Sequence, residues 1–95
     1  MTESNWTFLT NHAHVLLCLA NDPSMRMRDI AARVGITERA VQQIIADLDK
    51  AGYLDRQRSG RCNVYQIYQD KYLRHPLESQ RKISGLLSFL LGKDE

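Results

Sequence analysis

Two glycines bracket the segment that most constrains how this chain can fold. Gly35 supplies the positive φ that a sharp reversal of the backbone needs, and Gly52 ends the helix that begins after the N-cap residue Thr37. At 100° per residue, the segment between them gathers its apolar side chains on one face, namely Val41, Ile44, Ile45 and Leu48. This pattern predicts a helix over about residues 38–51 that packs on a core and follows an earlier helix through a tight turn.

The remaining segments predict a mainly helical fold with one β-hairpin. Apolar residues at helical spacing predict three further helices, at about residues 10–21, 28–34 and 77–91. Strands are predicted at residues 53–58 and 64–68, with residues 59–63 as the loop between them. Residues 25–27 are expected to form an extended connector, with a short edge strand as the alternative.

Length and composition indicate one domain inside the cell. Ninety-five residues suit one compact unit, so we take residues 1–95 as a single domain whose core is residues 10–68. No apolar run reaches the ~18 residues that span a bilayer, and the polar N-terminus lacks the features of a signal peptide. Cys18 and Cys62 form no CxxC pair. We therefore expect a cytoplasmic protein that makes no contact with membranes.

The outer face of the predicted 38–51 helix carries side chains that suit the edges of DNA bases. Arginine can bind guanine through O6 and N7, and glutamine can pair with adenine through N6 and N7, whereas an ordinary solvent-facing helix mixes glutamate and lysine. A small alanine lets such a helix lie close in a groove. The expected base contacts are Arg39, Gln42, Gln43 and Ala46. The alternative is a polar face with no partner.

The predicted hairpin adds positive charge beside this helix. Arg56, Arg58 and Arg61 lie within six positions without an acid among them, and a long arginine-bearing loop suits phosphate or minor-groove contact. Over residues 26–61, eight basic and five acidic side chains give a surplus of three, compared with a net charge of +2 for the whole chain. Positive charge is therefore concentrated where a DNA-facing surface would lie.

These segments together resemble a known family. The run from Met27 to Thr37, with Val41, Leu48 and the sequence Ala51-Gly52-Tyr53-Leu54, resembles the winged helix-turn-helix of MarR-like and ArsR-like bacterial transcriptional regulators. Residues 58–65 resemble their wing, so the resemblance covers roughly residues 10–68. It implies a homodimer that binds double-stranded DNA, with residues 38–51 as the reading helix in the major groove and a wing at 56–65 in the adjacent minor groove. Backbone and minor-groove contacts are then expected from Thr37, Arg56, Arg58, Arg61 and Asn63.

Two departures from these families bear on ligands. MarR-like proteins are usually longer, with extra helices that dimerise and form a ligand pocket, whereas only one terminal helix is predicted here. ArsR-like metal sensors carry a cysteine-rich motif on the reading helix, and residues 38–51 contain no cysteine. His12 and His14, two apart on a helix, point away from each other. We therefore expect no metal and no cofactor, and leave an effector ligand open.

The leucine-rich face of the predicted 77–91 helix is too apolar to leave in water. We expect this face to pair across a two-fold axis and so to form the dimerisation surface. The residues assigned to that surface are Trp6, Phe8, Ile83, Leu86, Leu87, Leu90 and Leu91. Packing on the first helix of the same chain is the alternative.

Enzymatic activity is not expected, because the sequence has neither a glycine-rich phosphate loop nor a nucleophile in a recognisable motif. The expected fold is mainly α with a small β-hairpin wing, a winged helix-turn-helix. The expected function is that of a sequence-specific, DNA-binding transcriptional regulator. Two alternatives stay open, namely a winged-helix protein-interaction module that does not bind DNA, and a sensor gated by a small molecule or a metal.

Overall fold

The computed structural model describes residues 5–92, and in this range the chain forms four helices and one two-stranded antiparallel sheet. The helices are α1 (Asn11–Asn21), α2 (Met27–Val34), α3 (Glu38–Lys50) and α4 (Ile83–Leu90). The strands, β1 (Leu54–Ser59) and β2 (Cys62–Ile67), lie between α3 and α4 in the sequence. The predicted winged helix-turn-helix is confirmed. Within this range no helix has the length and apolarity that crossing a bilayer requires.

Local hydrogen bonds set both ends of the central helix. The Thr37 hydroxyl oxygen accepts the backbone N–H of Ala40 at 3.0 Å, which is the N-cap predicted from the sequence. Before it, Gly35 has a φ of 89°, and the N–H of Ile36 reaches back to the Ala31 carbonyl at 3.0 Å. This left-handed glycine ends α2 and turns the chain into α3 within three residues.

The hydrophobic core forms where the apolar faces of α1, α2 and α3 meet the base of the hairpin and the inner face of α4. All four α3 residues predicted to face the core, namely Val41, Ile44, Ile45 and Leu48, are confirmed as buried. The buried side chains are Val15, Leu16, Leu19, Ile30, Ala31, Val41, Ile44, Ile45, Leu48, Tyr53, Leu54, Tyr65, Ile83 and Leu87. Burial of one face thus holds α3 with its other face outward.

The hairpin has a tighter turn than the sequence suggested. Instead of a loop over residues 59–63, Ser59 pairs with Cys62, and only Gly60 and Arg61 connect the strands. Gly60 has a φ of 63°, the left-handed conformation that a two-residue hairpin turn requires at its first central position. The prediction of a long loop was wrong because one glycine in this position is enough to close the ladder.

The connector at residues 25–27 is not a strand, and α2 already begins at Met27. One backbone hydrogen bond, from the Tyr65 N–H to the Pro23 carbonyl at 3.0 Å, ties β2 to the segment that precedes the connector. That single bond supports the outer edge of β2 without extending the sheet.

The last helix is half as long as predicted. Residues 77–80 form turns, Lys82 forms an isolated antiparallel β-bridge with Tyr72, and α4 begins only at Ile83. After Leu77, which is 90% exposed, the sequence offers no apolar residue before Ile83, so a helix there would have no face to bury. The backbone instead folds back on residues 71–73, with the Leu73 N–H bonded to the Arg81 carbonyl and the Ile83 N–H to the Lys71 carbonyl, both at 2.9 Å.

Candidate nucleic-acid interface

Helix α3 carries a polar, solvent-exposed face opposite its buried face. Val41 is 0% and Ile45 5% exposed, and the 3.6-residue period therefore turns the positions on the opposite side of the helix outward. All four side chains predicted for base contact are exposed, namely Arg39, Gln42, Gln43 and Ala46. A long, unobstructed polar face is the arrangement that a helix needs to enter a DNA groove.

Thr37 lies at the positive end of α3. Its hydroxyl oxygen is used by the Ala40 N–H, whereas the hydroxyl hydrogen is still available to donate. The residue is exposed, and the helix dipole favours an anion at this end. The arrangement therefore suits a phosphate oxygen.

The wing arginines share the helix-facing side of the hairpin. Side chains alternate along a strand, so Arg56 and Arg58 project on the same side as the buried Leu54. The register agrees, because Arg56 lies opposite the buried Tyr65 and Arg58 opposite Asn63. Both arginines are exposed, and the sheet therefore directs them to the side of the hairpin on which the helices lie.

The turn places a third arginine beyond these two. Arg61 is the second turn residue and is exposed. The Nε–H of Arg58 donates to the Gly60 carbonyl at 3.3 Å, which holds the Arg58 guanidinium beside the turn and leaves its Nη groups uncommitted. The tip of the wing thus presents several N–H donors to a phosphate or a minor groove.

No acidic side chain within residues 5–92 forms a salt bridge with the arginines of α3 or the wing. Across residues 5–92 the close pairs of basic and acidic side chains are His12–Asp47 and Lys82–Asp70, and neither includes an arginine of α3 or the wing. Asp55, the acid next to Arg56, accepts a hydrogen bond from the Tyr68 hydroxyl. That bond to the carboxylate raises the pKa of Tyr68. The arginines are left to attract an external polyanion.

One connection at this surface was missed from the sequence. Asp47, on α3, accepts a hydrogen bond from the Gln43 side-chain amide at 3.1 Å and another from the His12 ring at 2.8 Å. The hydrogen bonds from His12 and, second, from Gln43 lower the pKa of Asp47. The four-residue spacing of Gln43 and Asp47 was a usable signal. Nothing in the sequence indicates that His12, 35 positions earlier, would meet them.

The residues predicted for dimerisation fall into three groups by exposure. Ile83 and Leu87 are 2% and 3% exposed, and they pack on the core of their own chain, in line with the alternative of intrachain packing. Leu86, Leu90 and Leu91 are partly exposed. Trp6 and Phe8 are 67% and 92% exposed, with their rings edge to face at 5.1 Å. Phe89, which was not among the predicted residues, is also an exposed apolar side chain.

An open groove of about 510 Å³ lies between α1, α2 and the end of α4. Its lining combines apolar side chains with His14, Cys18 and Arg33. Over the part of the chain that the structure describes, no three histidine, cysteine or acidic side chains lie close enough to hold a metal ion. His12 faces Asp47, and His14 bonds to Asn11 instead.

Residues 7–61 match the sequence model of the MarR family. ZitR from Lactococcus lactis, a zinc-responsive MarR family member, superimposes with a TM-score of 0.54 at 21% identity, over 70% of this chain and 48% of ZitR. A variant of ZitR gives a TM-score of 0.56 at 22% identity, over 73% and 49%. The PcaV transcriptional regulator from Streptomyces coelicolor, in complex with its natural ligand, gives 0.55 at 23% identity, over 97% of this chain and 66% of PcaV.

The similarity to these solved structures is one of fold, and it covers only part of each of those chains. The chain spans about half of ZitR and 66% of PcaV, and the sequence identities are 21–23%. No curated protein sequence matches the chain.

Proposed function

The chain belongs to the MarR family, and from that premise we propose that it is a transcriptional regulator that binds specific double-stranded DNA as a homodimer. The proposal rests above all on one observation. An exposed arginine and glutamine face on α3 lies in the same small fold as a wing whose arginines have no acidic partner in residues 5–92. Neither the exposed α3 side chains nor the wing arginines contribute to the core, so both sets are available to a duplex.

We assign the α3 face to the major groove. Arg39 is in the first turn of the helix, the part that most often reaches base edges, and its guanidinium suits O6 and N7 of guanine. Gln42 and Gln43 lie one turn further along and suit amino-bearing bases. Ala46, exposed and small, allows the backbone to approach the groove floor.

The wing and the helix start are assigned to the DNA backbone and minor groove. Arg56, Arg58 and Arg61 are exposed cations on a fully paired hairpin, and Asn63 stands opposite Arg58. Thr37 offers its hydroxyl hydrogen to a phosphate at the positive end of α3. Such contacts fix the orientation of a protein on the duplex, while the base contacts select the sequence.

Selection of bound fragments from a random duplex pool tests this proposal directly. The protein is expected to enrich a two-fold symmetric site whose halves lie about one helical turn, ~34 Å, apart. Binding to the selected site should fall steeply as salt rises. If no duplex is bound even at low salt, the function fails and the protein-interaction module becomes the better explanation.

Arg58→Ala is expected to weaken binding to every duplex, whatever its sequence. Loss of one phosphate contact should reduce the slope of log affinity against log salt by about 0.9. Electrophoretic shifts on the selected site and on a random duplex, over a range of salt, measure both effects. Arg81→Ala removes the same charge from an exposed position outside the proposed interface and should leave the slope unchanged. A selective loss on the selected site alone would contradict a backbone role for Arg58.

Dimerisation is proposed through apolar side chains that the fold leaves exposed or partly exposed, namely Trp6, Phe8, Leu86, Leu90 and Leu91. Phe8→Glu is expected to shift the protein towards monomer, because a charge would enter the shared apolar surface. Phe8 is 92% exposed, so the fold of each subunit should tolerate the change. Sedimentation velocity provides the measurement, and Leu77→Glu, at a leucine that is 90% exposed but outside this surface, provides the control. A wild-type monomer at the concentration that saturates the DNA site would refute the dimer.

The groove between α1, α2 and α4 favours effector-gated binding as a second candidate function. At about 510 Å³ it has the size of a small-molecule site, and Arg33 could attract an anionic ligand. A thermal-shift screen of small organic acids tests this candidate. The absence of any stabilising compound would count against it.

A further inference from the structure

We propose that Asp47 is a positioning residue for DNA recognition, which holds the Gln43 amide with its carbonyl oxygen outward so that Gln43 selects a base bearing an amino group. The inference deepens the proposed function and rests on it. Two features of the described residues carry it, namely the direction of the Gln43–Asp47 hydrogen bond and the anchoring of Asp47 by His12 on α1. The third argument is the pattern of hydrogen-bond donors in the major groove.

The direction of the Gln43–Asp47 bond follows from the chemistry of the partners. An ionised carboxylate can only accept hydrogen bonds, so the atom that faces Asp47 Oδ1 at 3.1 Å must be the Gln43 amide nitrogen. Turning the amide over would place its oxygen against a negative charge. Since hydrogen bonds lower the pKa of Asp47, the carboxyl group stays ionised and the orientation of Gln43 is maintained.

Asp47 is itself held in place from outside α3. Its second oxygen, Oδ2, accepts a hydrogen bond from His12 Nε2 at 2.8 Å. His12 lies on α1, which the buried Leu16 and Leu19 fix to the core. Both carboxylate oxygens are thus engaged, one by each helix. The Gln43 amide is therefore oriented by a carboxylate on its own helix that His12 of α1 holds in place.

This orientation has a consequence for base choice. In the major groove, adenine and cytosine present an amino group, whereas guanine and thymine present only acceptors for hydrogen bonds. A glutamine whose carbonyl oxygen points outward accepts from adenine N6 or cytosine N4. One Nε2–H of Gln43 is bonded to Asp47 and the other stays free, so the held amide can bind adenine through both N6 and N7. Without the bond to Asp47, the amide can turn over and present its Nε2 to the acceptors of guanine or thymine instead. The hydrogen bond to Asp47, which we call the tether, therefore makes the adaptable Gln43 side chain selective.

The neighbouring residues provide internal contrasts. Gln42 is exposed on the same face, and Asp49 is an exposed acid two positions beyond Asp47, yet within residues 5–92 neither side chain makes a hydrogen bond. Asp49→Ala thus removes the same charge from the same helix without touching the tether. It is the matched control for Asp47→Ala.

The test is selection from a random duplex pool with the wild type, Asp47→Ala, Gln43→Ala, the double variant and Asp49→Ala. The wild type is expected to enrich adenine or cytosine at one position of each half-site. Asp47→Ala should lower that discrimination about fivefold, the equivalent of one net hydrogen bond, and leave the other positions unchanged. The double variant should match Gln43→Ala alone, because Asp47 acts only through Gln43. Asp49→Ala should keep the wild-type preference.

A second measurement does not involve DNA. In the protein alone, the side-chain amide resonances of Gln43 should shift in Asp47→Ala and in His12→Ala, and stay in place in Asp49→Ala. Unchanged resonances in both variants, or an unchanged base preference in folded Asp47→Ala, would overturn the inference while the regulator function stands. If the wild type enriches no sequence at all, the proposed function itself fails, which is a distinguishable outcome.

Discussion

Replacing Leu19 by alanine is expected to lower the free energy of unfolding by about 2–5 kcal/mol. Leu19 is 0% exposed and belongs to the core that joins α1 to the other helices. The truncation removes buried methyl groups and leaves a cavity that the close-packed neighbours fill only in part. Small domains have about 5–15 kcal/mol of stability, so this one change should remove a large share. Urea unfolding followed by circular dichroism measures it.

Leu77→Ala is the matched control for this prediction. The same atoms are removed, but Leu77 is 90% exposed in the turn before α4. The free energy of unfolding should change by no more than about 0.5 kcal/mol. Equal effects of the two substitutions would mean that the core described for α1 is incorrect.

Arg39→Ala is expected to weaken binding to the selected DNA site by about 1–3 kcal/mol, provided that the contact with guanine is bidentate. Binding to a random duplex should change far less, because only one of many electrostatic contacts is lost. The preference at one position of each half-site should therefore relax. Competition titrations with selected and random duplexes measure both affinities.

The control for Arg39 separates specific from general effects of charge. Arg81→Ala removes an exposed arginine outside the proposed interface and should reduce neither affinity by a comparable amount. Since Arg39 is also exposed, its removal should leave the unfolding transition where it is. Equal losses on selected and random DNA would refute the assignment of Arg39 to base contact.

The parts of the fold that the sequence predicted well depend on short-range patterns. Helices α1 to α3 and their buried faces follow from apolar residues three and four positions apart. Thr37 and Gly35 mark the turn between α2 and α3 because each has a conformational preference of its own. The four exposed α3 residues followed from the same period.

The features that the sequence did not predict depend on a choice between packing partners or on contacts between residues far apart in the sequence. Helix α4 begins at Ile83 because the backbone of residues 81–83 bonds to residues 71–73, a pairing that no local pattern indicates. Leucines assigned to a dimer also had two possible partners, and Leu87 packs within its own chain. The contact of His12 with Asp47 joins two helices and so requires the tertiary fold.

The two-residue turn at Gly60 and Arg61 has a thermodynamic consequence for DNA binding. Fixing a flexible loop costs about 1–2 kcal/mol of backbone entropy per residue, whereas a wing that is already ordered has little of that freedom to lose. Because the strands pair along their whole length, from Leu54 with Ile67 to Ser59 with Cys62, the fold also sets the separation between the wing arginines and α3. Duplexes whose local bending or twist already suits that separation should therefore be bound more tightly than duplexes that must first be deformed.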